Sequence, residues 1–215
     1  MVGSRGHWED VYARRKATAV SWYQAQAQPS LALIAAAAPD RDAPVIDVGG
    51  GASTLVDGLL ACGFTDLTVL DVAEPALATA RARLGAKAAS VSWIAADITR
   101  WTPGRRWRIW HDRAVFHFLT ERAMQDAYIG ALLAGTEPDA TAIIATFAPD
   151  GPATCSGLTV ARYSAETLAE RIGASFALGS AAREIHTTPA GVQQPFVYAV
   201  LKRQARQERL RSPLP

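Results

Sequence analysis

Short apolar runs bounded by turn residues alternate along this chain with alanine-rich stretches at helical spacing. Continuous apolar runs predict buried parallel strands, and their alternation with helices predicts βαβ units. The predicted strands are residues 45–48, 67–70, 91–94, 108–110 and 141–147. The predicted helices between them are residues 54–62, 74–84 and 121–133.

Two further apolar segments, residues 175–184 and 196–201, are joined by a loop with no room for a crossover helix. Such a connection predicts an antiparallel hairpin, because parallel strands need a long crossover. The predicted fold is therefore α/β: a single three-layer, doubly wound sheet of seven strands, mostly parallel, with an antiparallel C-terminal hairpin. Residues 7–37 predict a helical cap across one end of the sheet and carry four aromatic residues: Trp8, Tyr12, Trp22 and Tyr23.

The composition changes sharply only before Pro44 and after Lys202, which predicts one main domain. We divide the chain into an N-terminal helical cap segment (1–44), a core domain (45–203) and a basic C-terminal tail (204–215). A chain of 215 residues, 49% of them hydrophobic, can bury a sufficient core without disulfides or a metal. Cys62 and Cys155 are therefore expected to be structural, and no metal site is expected.

Two cysteines give no disulfide framework, and the N-terminus does not resemble a secretory signal, so a cytoplasmic location is expected. The apolar run over residues 31–38 is far shorter than the roughly 20 residues that span a bilayer. No membrane interaction is expected.

The formal charge of +2 is unevenly distributed. Residues 202–215 carry five basic residues against one acid, a charge of +4, which leaves −2 for the rest of the chain. Binding to phosphate backbones needs a basic stripe on the folded surface. The acidic body therefore argues against a nucleic-acid partner, and the tail is expected to be a solvated end.

The most specific feature is residues 45–53, Val-Ile-Asp-Val-Gly-Gly-Gly-Ala-Ser, an apolar strand that runs into three glycines. Glycines let the chain turn tightly and let a ligand touch the backbone, at the edge where open α/β sheets bind ligands. A dinucleotide fingerprint would need a third spaced glycine where Thr54 stands, and a Walker loop would need a lysine that is absent. Asp47 before the glycines would repel a pyrophosphate and could accept from an ammonium group.

Two further acids end the next two predicted strands. Asp71 follows the second strand at one βαβ step from the glycines, where a carboxylate can accept from both ribose hydroxyls. Asp97 ends the third strand region and could accept an exocyclic adenine amine. A ligand with an ammonium group, a ribose and an adenine is therefore expected.

These residues resemble the class I methyltransferases that use S-adenosylmethionine, over most of the chain from Val45 to Arg203. The family's first motif, acid-x-Gly-x-Gly-x-small, is similar to Asp47-Val48-Gly49-Gly50-Gly51-Ala52-Ser53. The resemblance implies that this loop holds the methionine part of the cofactor, with Gly50 and Ser53 among its binding residues. It also implies that Asp71 binds the ribose beside Val72, and that Asp97 and Ile98 touch the adenine.

The fourth motif of the resembled family lies at the end of the fourth strand, here residues 110–118. The chain lacks there the Asn/Asp-Pro-Pro-aromatic motif of enzymes that methylate nucleobase amines and the Pro-Cys nucleophile of pyrimidine methylation. Methyl transfer needs mainly alignment and, for some nucleophiles, removal of a proton. The candidate bases are His117 and Asp112; Asp112 is also a candidate for the wall of the cofactor pocket.

The segment 148–164 is too rich in turn residues for a helix, and long loops in compact domains are often lids. Together with Trp22 and Tyr23 it could close over a substrate, with Arg162 and Tyr163 as polar contacts. The sequence thus predicts a methyltransferase for an undetermined acceptor, most simply a small metabolite. The alternatives are a protein lysine and a non-catalytic sensor or scaffold that binds S-adenosylmethionine.

Overall fold

The computed structural model describes residues 5–205. Seven of its strands form one sheet: β1 (Val45–Val48), β2 (Leu67–Asp71), β3 (Val91–Ala95), β4 (Trp107–Arg113), β5 (Thr136–Phe147), β8 (Phe176–Thr187) and β9 (Gln193–Arg203). Two short strands, β6 (Thr154–Cys155) and β7 (Leu158–Thr159), form a separate hairpin. The helices are α1 (Arg5–Arg14), α2 (Gln28–Ala37), α3 (Leu55–Ala61), α4 (Glu74–Leu84), α5 (Arg122–Ala134) and α6 (Ala165–Ile172).

The strand order in the large sheet is β3-β2-β1-β4-β5-β9-β8. Strands β1 to β5 are parallel, and β9 pairs antiparallel with both β5 and β8. The predicted doubly wound sheet with an antiparallel C-terminal hairpin is therefore confirmed. The order reverses between β1 and β4, and ligands of open α/β sheets bind at such a point, outside the carboxyl ends of the strands.

Apolar side chains from both faces of the sheet are covered by helices. On one face Ile34 of α2 and Leu59 of α3 pack in the same cluster as Val45. On the other face Tyr128 of α5 and Leu168 of α6 belong to the same cluster as Ile46 and Val48 of β1. Because β1 is buried on both faces, its side chains hold the strand's carboxyl end rigidly in place.

Several element ends follow from local signals in the sequence. α4 has a proline in its first turn and ends at Gly85, whose φ is +58°. α6 begins at Ser164, whose hydroxyl accepts from Thr167 N while the Thr167 hydroxyl accepts from Ser164 N. These are ordinary helix start and stop signals, and α4 forms over the residues for which the sequence predicts a helix.

Several strands are longer than predicted, β4, β5 and β9 most of all. β4 extends to Arg113. The side chains of His111 and Asp112 in this extension are polar but buried and hydrogen-bonded, and an apolar pattern does not predict such residues in a strand. β5 begins at Thr136, ahead of its apolar run. The segment expected to be a loop contains the β6–β7 hairpin, which turns through Ser156 and Gly157 at positive φ.

The tryptophans in and just before β4 contribute to the core. The side chains of Trp107 and Trp110 are buried, and Trp101 packs against both. No helix among residues 5–205 has the length and apolar character needed to cross a membrane. Most of the predicted basic tail, residues 206–215, lies outside the described residues.

Candidate functional site

A cleft opens at the carboxyl ends of β1 to β4, under the N-terminal helix. Its lining residues come from the strand ends, the N-terminal segment and the β6–β7 hairpin: Trp8, Tyr12, Trp22, Val48, Gly49, Leu70, Asp71, Val72, Ala96, Asp97, Ile98, Thr99, Arg113, Ala114, Val115, Phe118, Leu119, Met124 and Cys155. A second pocket beneath the glycine loop shares Gly49, Trp22 and Arg113 with the cleft and is also lined by Asp47 and His111. One cleft thus brings together predicted site residues from the ends of two strands: Asp71 and Val72 at the end of β2, and Asp97 and Ile98 after β3.

The glycine loop allows close approach to the backbone. Gly49 has φ +71°, and a Cβ at this position would lie 2.0 Å from Val115 Cγ2. Gly51 has φ +44°, and its Cβ would lie 2.9 Å from Asp71 Oδ2 and 3.1 Å from Tyr12 Oη. Side chains at these two positions are excluded both by backbone conformation and by contact with neighbouring side chains, so the loop requires glycine there.

Arg83 of α4 fixes the outer side of the glycine loop. Its guanidinium donates to the carbonyl oxygens of Ala52 and Ser53 at 2.8 and 2.6 Å, and it pairs with Asp57 of α3 at 2.7 Å. The Ser53 hydroxyl accepts from Leu55 N at 3.1 Å at the start of α3. Arg83 was not predicted as a site residue, because no local pattern in the sequence links it to a loop thirty residues earlier.

Asp47, His111 and Ser30 form a buried hydrogen-bonded chain below the loop. Asp47 Oδ1 lies 2.7 Å from His111 Nδ1, and His111 Nε2 lies 2.8 Å from Ser30 Oγ. All three side chains are buried. Asp47 therefore has a partner inside the protein and lines the second pocket, so a contact with a ligand's ammonium group has to come from that side.

Asp71 is the acid most affected by burial in the cleft. Its Oδ1 accepts from Ala73 N at 2.7 Å. Burial raises the pKa of Asp71 to about 7, against this hydrogen bond, and the nearby charge of Asp47 raises it further. Burial also raises the pKa of the Tyr12 hydroxyl, and the charge of Asp71 adds to that shift. Ligand hydroxyls that donate hydrogen bonds to this buried carboxylate would stabilise its charged form.

Asp97 lies farther along the cleft, on the β3 side. Its Oδ1 accepts from the backbone N and the hydroxyl of Thr99, at 2.9 and 2.7 Å. This turn holds the carboxylate at the cleft wall, beside Ile98.

Asp112 is buried away from the cleft. Its carboxylate accepts from Val115 N and Phe116 N, at 2.8 and 3.1 Å, and from the Tyr128 hydroxyl at 2.7 Å. Burial raises the pKa of Asp112 to about 6, while the Tyr128 hydrogen bond opposes that shift. The geometry assigns Asp112 to holding the turn after β4, and the side chain is not among the lining residues.

His117 is also buried and is not among the lining residues. Its ring packs against Phe118 and Phe147, with centroids 4.4 and 4.8 Å away. Neither ring nitrogen has a hydrogen-bond partner within residues 5–205. Burial, and secondarily the charge of Arg113, lowers the pKa of His117 to about 3. This position does not favour the predicted role as a base.

The N-terminal segment supplies the aromatic wall of the cleft. The Trp8 ring meets Trp22 and Phe118 edge to face, with centroids 5.7 and 4.9 Å away. Tyr23 lines the second pocket.

Of the other predicted substrate contacts, Arg162 donates to Gly151 O at 3.1 Å and Tyr163 accepts from Gln125 at 3.0 Å. These two side chains do not line the cleft in the part of the chain that the structure describes.

Two site residues follow directly after Asp112 and were not predicted. Arg113 ends β4 and lines both pockets. Ala114 lines the cleft with φ +72°, a backbone conformation that costs a non-glycine residue about 1–2 kcal/mol. Such strain persists where the surrounding structure imposes it and is often found at functional sites.

No protein-family model and no curated protein matches the chain. Solved structures do match it. One is the structure from a study of the conversion of a disulfide bond into a thioacetal group during echinomycin biosynthesis, with 18% identity, a TM-score of 0.75 and coverage of 95% of this chain and 94% of that one. A second is an S-adenosylmethionine-dependent methyltransferase from Anabaena variabilis, with 18% identity, a TM-score of 0.72 and coverage of 93% and 95%.

A third similar structure is the 1,6-didemethyltoxoflavin-N1-methyltransferase of Burkholderia thailandensis, with bound 1,6-didemethyltoxoflavin and S-adenosylhomocysteine. It has 21% identity, a TM-score of 0.70 and coverage of 94% of this chain and 87% of that one. The chain therefore has the class I methyltransferase fold. At these identities the similarity establishes the fold.

Proposed function

We propose that this protein transfers a methyl group from S-adenosylmethionine to a small-molecule acceptor. The observation that carries the proposal is the arrangement of the cleft, which is lined by Gly49 after β1, Asp71 at the end of β2 and Asp97 after β3. The class I methyltransferase fold supports this proposal. The similar Burkholderia enzyme, which is 21% identical to this chain, has bound S-adenosylhomocysteine in its structure.

The residues present fit this cofactor. Gly49 and Gly51 would admit the methionine part against the backbone, where a Cβ would meet Val115 or Asp71. Asp71 would accept from the ribose hydroxyls, and its burial makes those hydrogen bonds stronger than they would be in water. Asp97 and Ile98 would contact the adenine.

When bound, S-adenosylmethionine would supply a methyl group activated by the positive charge on its sulfur, and S-adenosylhomocysteine would be the leaving group when the carbon–sulfur bond breaks. The contribution of the chain is mainly alignment and exclusion of water. Trp8, Trp22 and Phe118 form an apolar wall over the β4 end of the cleft. Because Asp112 and His117 lie outside the lining, we propose that an acceptor with an available lone pair reacts without a side-chain base.

A small acceptor is favoured by how the cleft is covered. Tyr12 of α1 lies 3.1 Å from the Cβ position of Gly51, and Trp22 lines both pockets. The N-terminal segment therefore narrows access to the strand ends. The similar Burkholderia structure holds a small-molecule substrate, which agrees with this choice. No observation favours a protein lysine or a non-catalytic sensor, and the cytoplasmic location stays a prediction.

The test combines binding with product formation. Calorimetry should show binding of S-adenosylhomocysteine and none of NAD⁺. Incubation with methyl-labelled S-adenosylmethionine and a cell extract should give S-adenosylhomocysteine and place the label in the small-molecule fraction. Label in protein would support the lysine alternative, and tight NAD⁺ binding without S-adenosylhomocysteine binding would overturn the proposal.

A further inference from the structure

Arg113 is the only cation among the cleft-lining residues that the structure describes. The two acids of the cleft, Asp71 and Asp97, end β2 and follow β3, whereas Arg113 ends β4. The cleft is therefore acidic at the end proposed for the nucleoside and basic at the opposite end. A cation at that end has no assigned role in binding the adenosine part of the cofactor.

Only part of the hydrogen-bonding capacity of Arg113 is used inside the protein. A guanidinium has five N–H donors. Nε donates to the Tyr198 hydroxyl at 3.1 Å, and Nη1 donates to Trp22 O at 3.2 Å. Nη2 makes no hydrogen bond within residues 5–205; this atom is itself buried and has an ion-pair contact with Glu184, and the side chain as a whole is 9% exposed.

The counter-ion of Arg113 is held by other groups. Glu184 Oε2 lies 3.5 Å from Arg113 Nη2 and accepts from the Tyr198 hydroxyl at 2.9 Å. Glu184 Oε1 accepts from Gln24 at 2.6 Å. Glu184 is not among the residues that line the cleft, whereas Arg113 is, so the ion pair holds Arg113 at the cleft wall.

The surroundings of Arg113 favour a flat ligand. The guanidinium lies over the Phe196 ring at 4.3 Å, which fixes its plane. Trp22 and Phe118 line the same end of the cleft. A planar ligand with one acidic group would suit this end of the cleft. The apolar wall would cover the flat face of the ligand, and Arg113 would pair with its anionic group.

We propose that Arg113 binds a carboxylate, or an equivalent anionic oxygen, on a flat acceptor molecule. This inference rests on the proposed function, because it assumes that the β4 end of the cleft holds the acceptor. The carboxylate of the cofactor's own methionine part is a second source of the same chemistry. The acceptor is favoured because Arg113 lines the cleft together with Trp22 and Phe118 and ends β4, whereas Asp71 ends β2.

The experiment uses a matched pair of probes, 2-naphthoate and its neutral amide, 2-naphthamide. Calorimetry with the S-adenosylhomocysteine complex should show naphthoate binding at least ten times more tightly than naphthamide. The single variant Glu184→Gln removes the internal counter-ion and should increase this preference. The double variant Arg113→Gln/Glu184→Gln leaves no unpaired buried charge and should bind both probes alike.

Cofactor binding separates the two sources of the carboxylate. The double variant should bind S-adenosylhomocysteine and 5′-methylthioadenosine, which lacks the amino-acid carboxylate, within about threefold of the native protein. A tenfold loss for S-adenosylhomocysteine alone would assign Arg113 to the cofactor and overturn the inference. Equal affinity of the native complex for both probes would overturn it too.

The failure of the proposed function has a different signature. If the native protein bound neither S-adenosylhomocysteine nor 5′-methylthioadenosine, the cofactor assignment would fail, and the probe pair would then be measured on the protein alone. A naphthoate preference that depends on Arg113 would still support an anion site.

Discussion

His111 Nδ1 lies 2.7 Å from Asp47 Oδ1, below the glycine loop that Asp47 precedes in the chain. His111 follows Asp47 by 64 positions, and β1 and β4 pair these residues directly. The carboxylate nearest the glycine loop therefore has an internal partner on the neighbouring strand, and the loop depends on β4 for its support.

The first prediction concerns this buried pair. His111→Ala leaves the Asp47 carboxylate buried without its partner, so the free energy of unfolding should fall by about 3 kcal/mol. Ser30→Ala removes only the outer hydrogen bond and should cost about 1 kcal/mol. Urea unfolding of both variants measures the difference. Equal losses would show that the carboxylate is not the cause of the effect.

The second prediction concerns Gly49. Gly49→Ala places a Cβ 2.0 Å from Val115 Cγ2, so it should weaken S-adenosylhomocysteine binding more than tenfold and destabilise the fold. Gly63→Ala is the matched control, because Gly63 also has positive φ but its Cβ would meet nothing within 4 Å. It should cost about 1–2 kcal/mol from the backbone alone and leave binding intact.

A second-site variant separates contact from conformation at Gly49. In Gly49→Ala/Val115→Ala the colliding methyl group is gone, and part of the binding should return. No recovery would mean that the backbone conformation, rather than the contact with Val115, excludes the side chain.

The third prediction is a pH dependence of cofactor binding through Asp71. Ribose hydroxyls donate to the charged carboxylate, and the pKa of Asp71 in the protein without ligand is raised to about 7 by burial. Below pH 7 the Asp71 carboxyl group must lose its proton before the ribose can bind. Affinity for S-adenosylhomocysteine should therefore fall as pH decreases, by up to about tenfold per pH unit. Above pH 7 this dependence should end.

Calorimetry across pH 5 to 8 tests this effect. Asp71→Asn should lower the affinity at pH 8 and flatten the profile. Asp97→Asn should lower the affinity but keep the pH dependence of the native protein. A profile unchanged in Asp71→Asn would assign the proton to another group.

The fourth prediction concerns His117. Its pKa is about 3 in the folded protein against 6.5 for a free histidine, because the ring is buried. Between these values the unfolded chain binds a proton that the folded protein does not, so stability should fall as pH decreases, by about 1.4 kcal/mol per unit. His117→Leu should remove this part of the slope.

At pH 7 His117→Leu should be more stable than the native protein by about 1 kcal/mol, since it removes two buried nitrogens that have no hydrogen-bond partner among residues 5–205. It should also retain S-adenosylhomocysteine binding. Urea unfolding at pH 7 and pH 5 gives both values. Identical acid slopes in the two proteins would show that His117 is protonated in the folded state and would restore its candidacy as a base.

The glycine loop and the acids at the strand ends could be predicted from the sequence, because each is a local signal. An apolar run that ends in glycines or an aspartate places those residues at the carboxyl edge of a parallel sheet. The cleft therefore contains Gly49, Asp71 and Asp97 as predicted.

The residues that surround these predicted positions were not evident from the sequence. The partnership of Asp47 with His111, and of Arg83 with the glycine loop, joins positions far apart in the chain. Whether a polar residue after β4 points into the cleft or into the core depends on side-chain direction. The strand alternation and the turn at Ala114 turn Asp112 inward and bring Arg113 to the cleft.

The sequence by itself determined the α/β class, the antiparallel hairpin and the position of the glycine loop, since hydrophobic period and turn residues act over a few neighbouring positions. The tertiary structure decided which charges face the ligand. Burial and pairing are properties of the packed neighbourhood, so Asp112 and His117 became core residues and Arg113 became the cation of the cleft.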